Sequence, residues 1–204
     1  MSDYEKAMAD REARIDALRK KIAGTLPEEL IGGFSLRGLT LEIGCGHGHF
    51  LAAYAAAFPQ ESCIGLDLIT KRIERALRKR DLANLQNLDF FKADAEEFFA
   101  ALPPKVVIDK IFLLFLDPWP KKRHHKNRII QTATLDAWAA RSRPGTRIFF
   151  RTDHREFFEW AREIIDAHPL WEIVEEAMPF ERETYFQSIL PDAPQDLVAR
   201  LKKA

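Results

Sequence analysis

An α/β fold, with a doubly wound and mostly parallel sheet and helices on both faces, is predicted by three observations. Short apolar runs alternate with amphipathic ones at βαβ spacing from Leu39 to Ala167. A glycine-rich turn, Gly44-Cys45-Gly46-His47-Gly48, follows the first apolar run, and carboxylates close the later ones. After Trp171 the alternation changes, and two apolar runs joined by a loop predict a C-terminal antiparallel hairpin. The expected architecture is Rossmann-like.

Tyr4–Ala23 reads as a helix, with Met8, Ile15, Leu18 and Ile22 on one stripe and charges elsewhere. Residues 24–38, with Pro27, Gly32 and Gly33, read as a loop. Strands are expected at Leu39–Ile43, Cys63–Leu68, Leu88–Phe91, within Val106–Leu116, and at Arg147–Arg151. The helices between them are Phe50–Phe58, Lys71–Ala83, Ala95–Leu102 and Arg128–Ala140, followed by Arg155–Ala167. Pro59, Pro103-Pro104 and Pro169 stop three of these helices, because proline lacks the amide that continues a helix. Arg143-Pro144-Gly145 reads as a turn, Trp171–Val174 and Tyr185–Leu190 as the hairpin strands, and Pro194–Lys203 as a last helix. The expectation is one domain over residues 1–204: an N-terminal helix and loop to 37, a core over 38–190, and a C-terminal helix over 191–204.

With 204 residues, 47% of them hydrophobic, the chain is long and apolar enough to bury a core. Its 31 basic and 31 acidic residues cancel, which argues against a general nucleic-acid coat but leaves room for a local basic face. Cys45 and Cys63 are too few for a disulfide framework or a zinc site and read as free thiols. Met1–Lys21 is charged throughout, without the apolar centre of a signal peptide, and no apolar run approaches the ~20 residues of a membrane helix. A cytoplasmic protein is expected, with no membrane and no metal among its partners.

The glycine turn follows Leu41-Glu42-Ile43 and lets backbone approach a ligand closely. A dinucleotide fingerprint needs glycine at position 49, where His49 stands, and there is no P-loop lysine. Asp67, 21 residues after Gly46, stands where a carboxylate takes ribose hydroxyls. Asp94 ends the third strand, where it can accept from an adenine amine or cap the following helix. Glu42 faces the region of a cationic amino-acid group. Gly44, Gly46 and Gly48 with Glu42, Asp67 and Asp94 therefore describe a site for S-adenosylmethionine, which carries a sulfonium and an ammonium.

The fourth apolar run ends in Asp117-Pro118-Trp119-Pro120, and Lys121–Arg128 then holds five Lys or Arg and two His. An acid at a strand end thus stands beside cations suited to phosphates, which position a nucleic acid without reading its sequence. Trp119 reads as a brace of the turn. Adjacent His124 and His125 do not complete a metal site, since no Cys/His cluster accompanies them. Six further Lys or Arg between 71 and 80 either extend a basic surface or form a solvated helix face.

The segment from Asp117 to Arg128 resembles the Pro-Asp-Pro-Trp-Pro-Lys-x-Arg-His-x-Lys-x-Arg motif of the bacterial tRNA (guanine-N7)-methyltransferases, with Leu116 in place of the leading proline. The resemblance runs from about Leu39 to Gln187 and includes Leu41-Glu42-Ile43-Gly44, Gly65-Leu66-Asp67, Asp94 and Thr152-Asp153. It implies that Glu42, Asp67, Asp94 and Asp117 contact the cofactor and that Asp117 is catalytic. It implies that Lys121 and Asp153 bind substrate, as would Thr184 and Gln187 in Thr184-Tyr185-Phe186-Gln187, where the family has a final Glu. It implies that Arg123, His124, His125, Lys126 and Arg128 contact RNA, and that the methyl acceptor is N7 of a guanine in the tRNA variable loop. Asp153 also reads as a possible helix cap. Two other functions fit the same residues: a tRNA-binding protein that keeps the cofactor fold without catalysis, and a paralogous methyltransferase with another acceptor. A monomer or weak homodimer is expected.

Overall fold

The computed structural model describes residues 2–181 and 193–203. Among them, strands β1 (Leu39–Ile43), β2 (Cys63–Asp67), β3 (Leu88–Lys92), β4 (Ile108–Leu114), β5 (Ser142–Thr152), β6 (Trp171–Val174) and β7 (Gln195–Leu201) form one sheet. Its order is β3-β2-β1-β4-β5-β7-β6. Strands β1 to β5 are parallel, and β7 runs antiparallel between β5 and β6. The helices are α1 (Asp3–Thr25), α2 (Glu28–Gly32), α3 (His49–Ala57), α4 (Thr70–Leu82), α5 (Ala95–Ala101), α6 (Thr132–Ala139) and α7 (Arg155–Asp166). None of the described helices is long and apolar enough to cross a membrane.

Apolar side chains leave the sheet on both faces, as a covered parallel sheet requires. On one face Leu41, Leu66, Leu113 and Phe150 meet Ile22 of α1, Phe98 of α5, Trp138 of α6 and Phe157 of α7. On the other, Phe90, Phe112 and Phe149 meet Phe50 and Tyr54 of α3 and Ile73 of α4. Of the expected α1 stripe, Ile15, Leu18 and Ile22 are buried while Met8 is exposed. Helix α1 has 23 residues and its partner α5 has 7, so at about 1.5 Å per residue the first turns of α1 run beyond what they pack on.

Several expectations need correction. The segment read as a C-terminal helix, Pro194–Lys203, is strand β7. Leu197, Ala199 and Leu201 face one core and Val198 the other, because a strand inserted between two neighbours needs both faces apolar, and so short an apolar run looks alike as helix or strand. The antiparallel partner of Trp171–Val174 is therefore β7; the expected strand Tyr185–Leu190 lies outside the described residues. Arg143-Pro144-Gly145 is a bulge inside β5, since Ser142 pairs with Ile108 while Arg147 already pairs with Lys110. Thr146 closes the bulge by donating to the Ile108 carbonyl at 2.7 Å and accepting from the Arg143 amide. The expected loop at 24–38 contains α2, and the helix expected from Arg128 begins only at Thr132, after a 3-10 turn at Lys122–Asn127.

At the amino-terminal edge of the sheet, buried Glu61 gathers three donors: Thr40 Oγ1 at 2.8 Å, Tyr54 Oη at 2.9 Å and Lys110 Nζ at 2.6 Å. Burial pushes its carboxyl up, but the Lys110, Thr40 and Tyr54 hydrogen bonds outweigh this and hold it below its ordinary range. Removing the carboxylate takes the acceptor from a half-buried ammonium and two hydroxyls. Glu61→Ala is expected to cost about 3 to 5 kcal/mol in urea denaturation, whereas Tyr54→Phe should cost only about 1 kcal/mol. Equal losses in the two variants would contradict this description of the cluster.

Candidate active site

The sheet order reverses between β1 and β4, so the connections leaving their carboxyl ends depart to opposite faces and leave a crevice between them. On the β1 side lie Gly44, Gly46 and Gly48, with φ of 76°, 54° and 68°. Gly44 cannot be replaced without movement: its φ lies in the left-handed region, and a Cβ there would overlap Leu116 Cδ2. The residue before Asp117 thus lies directly against the first glycine of the turn. A side chain on Gly46, by contrast, would meet open space.

Neighbouring strand ends carry the acids side by side. Phe115 N donates to the Arg151 carbonyl at 2.9 Å, and Asp117 and Asp153 each follow two residues beyond that bond, both exposed. Across β2 and β3, Asp67 pairs with Lys92, and Asp94 follows two residues later. The Asp67 carboxylate accepts from Gly46 N at 3.1 Å, Ile69 N at 2.8 Å and Arg72 Nη1 at 3.4 Å, so it ties the glycine turn to the start of α4. Asp94 is the N-cap of α5 and accepts from Glu96 N at 2.8 Å. Asp153 is not a cap, since His154 Nδ1 takes that place on α7.

Glu42 lies beneath the turn and is 4% exposed. Burial pushes its carboxyl up to about 8, against a lowering hydrogen bond from the Leu51 amide in the first turn of α3 and with a further upward push from Asp67. Its Oε2 has no hydrogen-bond partner among the described residues. An isolated buried carboxyl oxygen suits a ligand group that brings positive charge, because the low-dielectric surroundings strengthen that attraction. Cys45 beside it is pushed up by burial and by Glu42, so it is an inert thiol. His47 is pushed down by burial first and then by Arg75, Lys79 and Arg72. Three of the six α4 cations therefore serve the turn, since Arg72 reaches Asp67, Arg75 Nη1 lies 3.3 Å from His47 Nε2, and Lys79 donates to the His47 carbonyl at 2.9 Å.

The segment around Asp117 is bent twice. Phe115 (φ 52°) and Trp119 (φ 47°) are both left-handed, a conformation that costs about 1 to 3 kcal/mol for a residue with a side chain. Trp119 has its ring edge-on to His124 at 5.8 Å, a contact within the same segment. Lys121, Lys122, Arg123 and Lys126 are exposed on the 3-10 turn or at its entry; the three lysines have no partner among the described residues, and Arg123 contacts only the neighbouring His124. His125 turns inward against Trp160 at 5.3 Å. Arg128, expected at the RNA surface, is instead inside: its side chain is 0% exposed. Its Nε donates to the Pro118 carbonyl at 2.9 Å, its Nη2 to Glu156 at 3.2 Å, and its guanidinium lies on the rings of Trp160 and Phe157 at 5.1 and 5.4 Å. The pattern of the segment could not reveal this, because the partners, Glu156, Phe157 and Trp160, come from α7. Thr184 and Gln187 lie outside the described residues. Among those described, no group of three His, Cys, Asp or Glu could hold a metal.

Residues 37–188 match the model of the family described as "Putative methyltransferase". The chain is 38% identical over 132 residues to a tRNA (guanine-N(7)-)-methyltransferase of Cutibacterium acnes, covering 65% of this chain and 48% of that protein. It is 32% identical over 157 residues to the protein of that name in Magnetococcus marinus, covering 77% and 62%. The chain thus spans roughly half to three fifths of the relatives it matches. Among solved structures it resembles a rRNA methylase from Streptococcus thermophilus (TM-score 0.55, 11% identity, covering 85% of this chain and 91% of that one). It also resembles a precorrin-6y C5,15-methyltransferase from Geobacter metallireducens (TM-score 0.57, 14% identity, 85% of each). These two similarities establish the Rossmann-like methyltransferase fold. With the reversal of strand order, the glycine turn and the family match over residues 37–188 in agreement, the chain belongs to this methyltransferase family, alongside the tRNA (guanine-N(7)-)-methyltransferases.

Proposed function

We propose that the protein transfers a methyl group from S-adenosylmethionine to N7 of a guanine in tRNA, in the variable loop, and that it acts in the cytoplasm as a monomer or weak homodimer. One observation carries this reading: Leu116, at the head of the Asp-Pro-Trp-Pro segment, is pressed against Gly44, and exposed lysines follow at once. This supports a reading in which an acid, a glycine turn and exposed cations act together at one strand edge.

The residues fit the methyl donor. The partnerless Glu42 oxygen suits a cationic group, Gly44, Gly46 and Gly48 leave room for close backbone approach, and Asp67, Asp94 and Asp117 supply further acceptors. When bound, that cofactor supplies an electrophilic methyl on a sulfonium centre. Guanine N7 carries an in-plane lone pair and no proton, so no side chain needs to act as a base. Asp117 would instead stabilise the positive charge that the guanine ring gains. Asp153, at the adjoining strand end, would accept from the N1–H and N2–H₂ edge, which distinguishes guanine from adenine. Lys121, Lys122, Arg123 and Lys126 would hold phosphates and so set the register of the RNA.

The direct test is nucleoside mass spectrometry of tRNA after incubation with the protein and S-adenosylmethionine. Formation of 7-methylguanosine is expected; tight cofactor and tRNA binding without methyl transfer would favour the non-catalytic reading. Asp117→Ala should lower kcat by about 100- to 1,000-fold with the melting profile preserved, and unchanged turnover would remove Asp117 from the chemistry.

The Glu42 carboxyl gives a pH signature. Its folded value, raised to about 8 from 4.5, means that its contribution to stability without ligand is complete below 4.5 and is lost as the pH rises through 8. A cationic ligand prefers the ionised form, so binding releases this proton below pH 8 and strengthens as the pH rises by up to about tenfold per unit. Calorimetric titration with S-adenosylhomocysteine should therefore show wild type and Glu42→Gln converging in affinity near pH 6 and separating toward pH 8. A constant gap between them would contradict the role given to Glu42.

A further inference from the structure

Resting on the tRNA-methylation reading, we propose that Arg128 is a positioning residue for Asp117 and does not contact phosphate. It closes the cationic run, and a surface arginine there would be one more contact to the RNA backbone. The geometry points elsewhere. No part of its side chain is exposed, which sets it apart from its basic neighbours, and of its guanidinium nitrogens only Nη1 has no hydrogen-bond partner among the described residues. Its Nε donates to the carbonyl of Pro118, the residue after Asp117. That carbonyl lies between Phe115 and Trp119, the two left-handed residues of the bend. The bend is unfavourable for residues with side chains and needs an external tie to persist; Arg128 supplies it from a fixed place.

The fixed place comes from α7 and the start of α6. The guanidinium carbon lies 5.4 Å from the ring centroid of Phe157 and 5.1 Å from that of Trp160, and Glu156 accepts from Nη2. Trp160 is itself held by donating from Nε1 to the Ile130 carbonyl at 3.1 Å. Gln131 donates to the carbonyls of His125 and Arg128 at 2.9 and 3.1 Å, which pins both ends of the last 3-10 stretch. Helix α7 follows directly from Asp153, so one clamp links the two acids of the site. A planar fork packed on aromatic rings is a role that lysine, a point charge on a flexible stem, does not reproduce.

The consequence separates into two measurable quantities. Arg128→Lys should lower the single-turnover rate at saturating tRNA by about 10- to 100-fold, as small displacements of a reacting group do. Its log–log dependence of tRNA affinity on salt should match wild type, and S-adenosylhomocysteine should bind within about twofold, since the charge is kept and no counterion is released at this position. Lys126→Gln, at an exposed cation, should instead flatten the salt slope by about 0.7 to 0.9. Glu156→Gln disturbs the clamp at an exposed carboxylate without opening the core, and should lower the rate without flattening the slope. Arg128→Lys with a wild-type rate would overturn the proposal, as would Arg128→Met with a slope flattened like that of Lys126→Gln. If the wild-type protein binds tRNA but transfers no methyl, the functional reading fails, while the slopes alone still decide whether Arg128 touches phosphate.

Discussion

The site depends on one close approach, that of Leu116 to Gly44, where the strand order reverses between β1 and β4. Because strands β1 to β5 run the same way, their carboxyl ends share one edge. Because the order reverses there, the two middle connections part and leave a crevice. A side chain at position 44 would be strained by the left-handed φ of 76° and would displace the Leu116 methyl that packs there. Glycine there lets the residue before Asp117 lie against the turn, and the remaining acids follow from the strand register on either side.

Charge is segregated across that edge although the chain as a whole is neutral. Glu42 and Asp67 lie on the inner side, with Glu42 buried deeply enough to hold its proton near neutral pH. Lys121, Lys122, Arg123 and Lys126 lie on the outer side in water. An isolated buried carboxyl is costly unless a cation arrives, whereas exposed lysines cost little and bind in proportion to the counterions they release. The first arrangement favours a small cationic ligand, the second a polyanion. Arg72, Arg75 and Lys79 of α4 are occupied with Asp67 and His47.

Most of the sheet was legible because the strands buried on both faces are continuous apolar runs, and glycine and proline punctuate them. The acids were legible because a strand end is a position in the sequence: Asp67, Asp94, Asp117 and Asp153 each follow an apolar run. What escaped depended on partners distant in the chain. Strand β7 reads as a helix until β5 and β6 are seen to flank it. The bulge at Arg143–Gly145 reads as a turn until the mismatch with Ile108 and Lys110 is counted. Arg128 looks like its basic neighbours, and only Phe157 and Trp160, about 30 positions away, draw it inside. A charge run states how many cations there are and leaves open which of them reach water.

Hydrogen exchange with and without S-adenosylhomocysteine tests most directly whether the glycine turn and the Asp117 connection form one site. The account predicts slower exchange on ligand addition in peptides covering 44–51, 66–70 and 114–120 together. Slowing confined to the first two, with 114–120 unchanged at saturation, would contradict it.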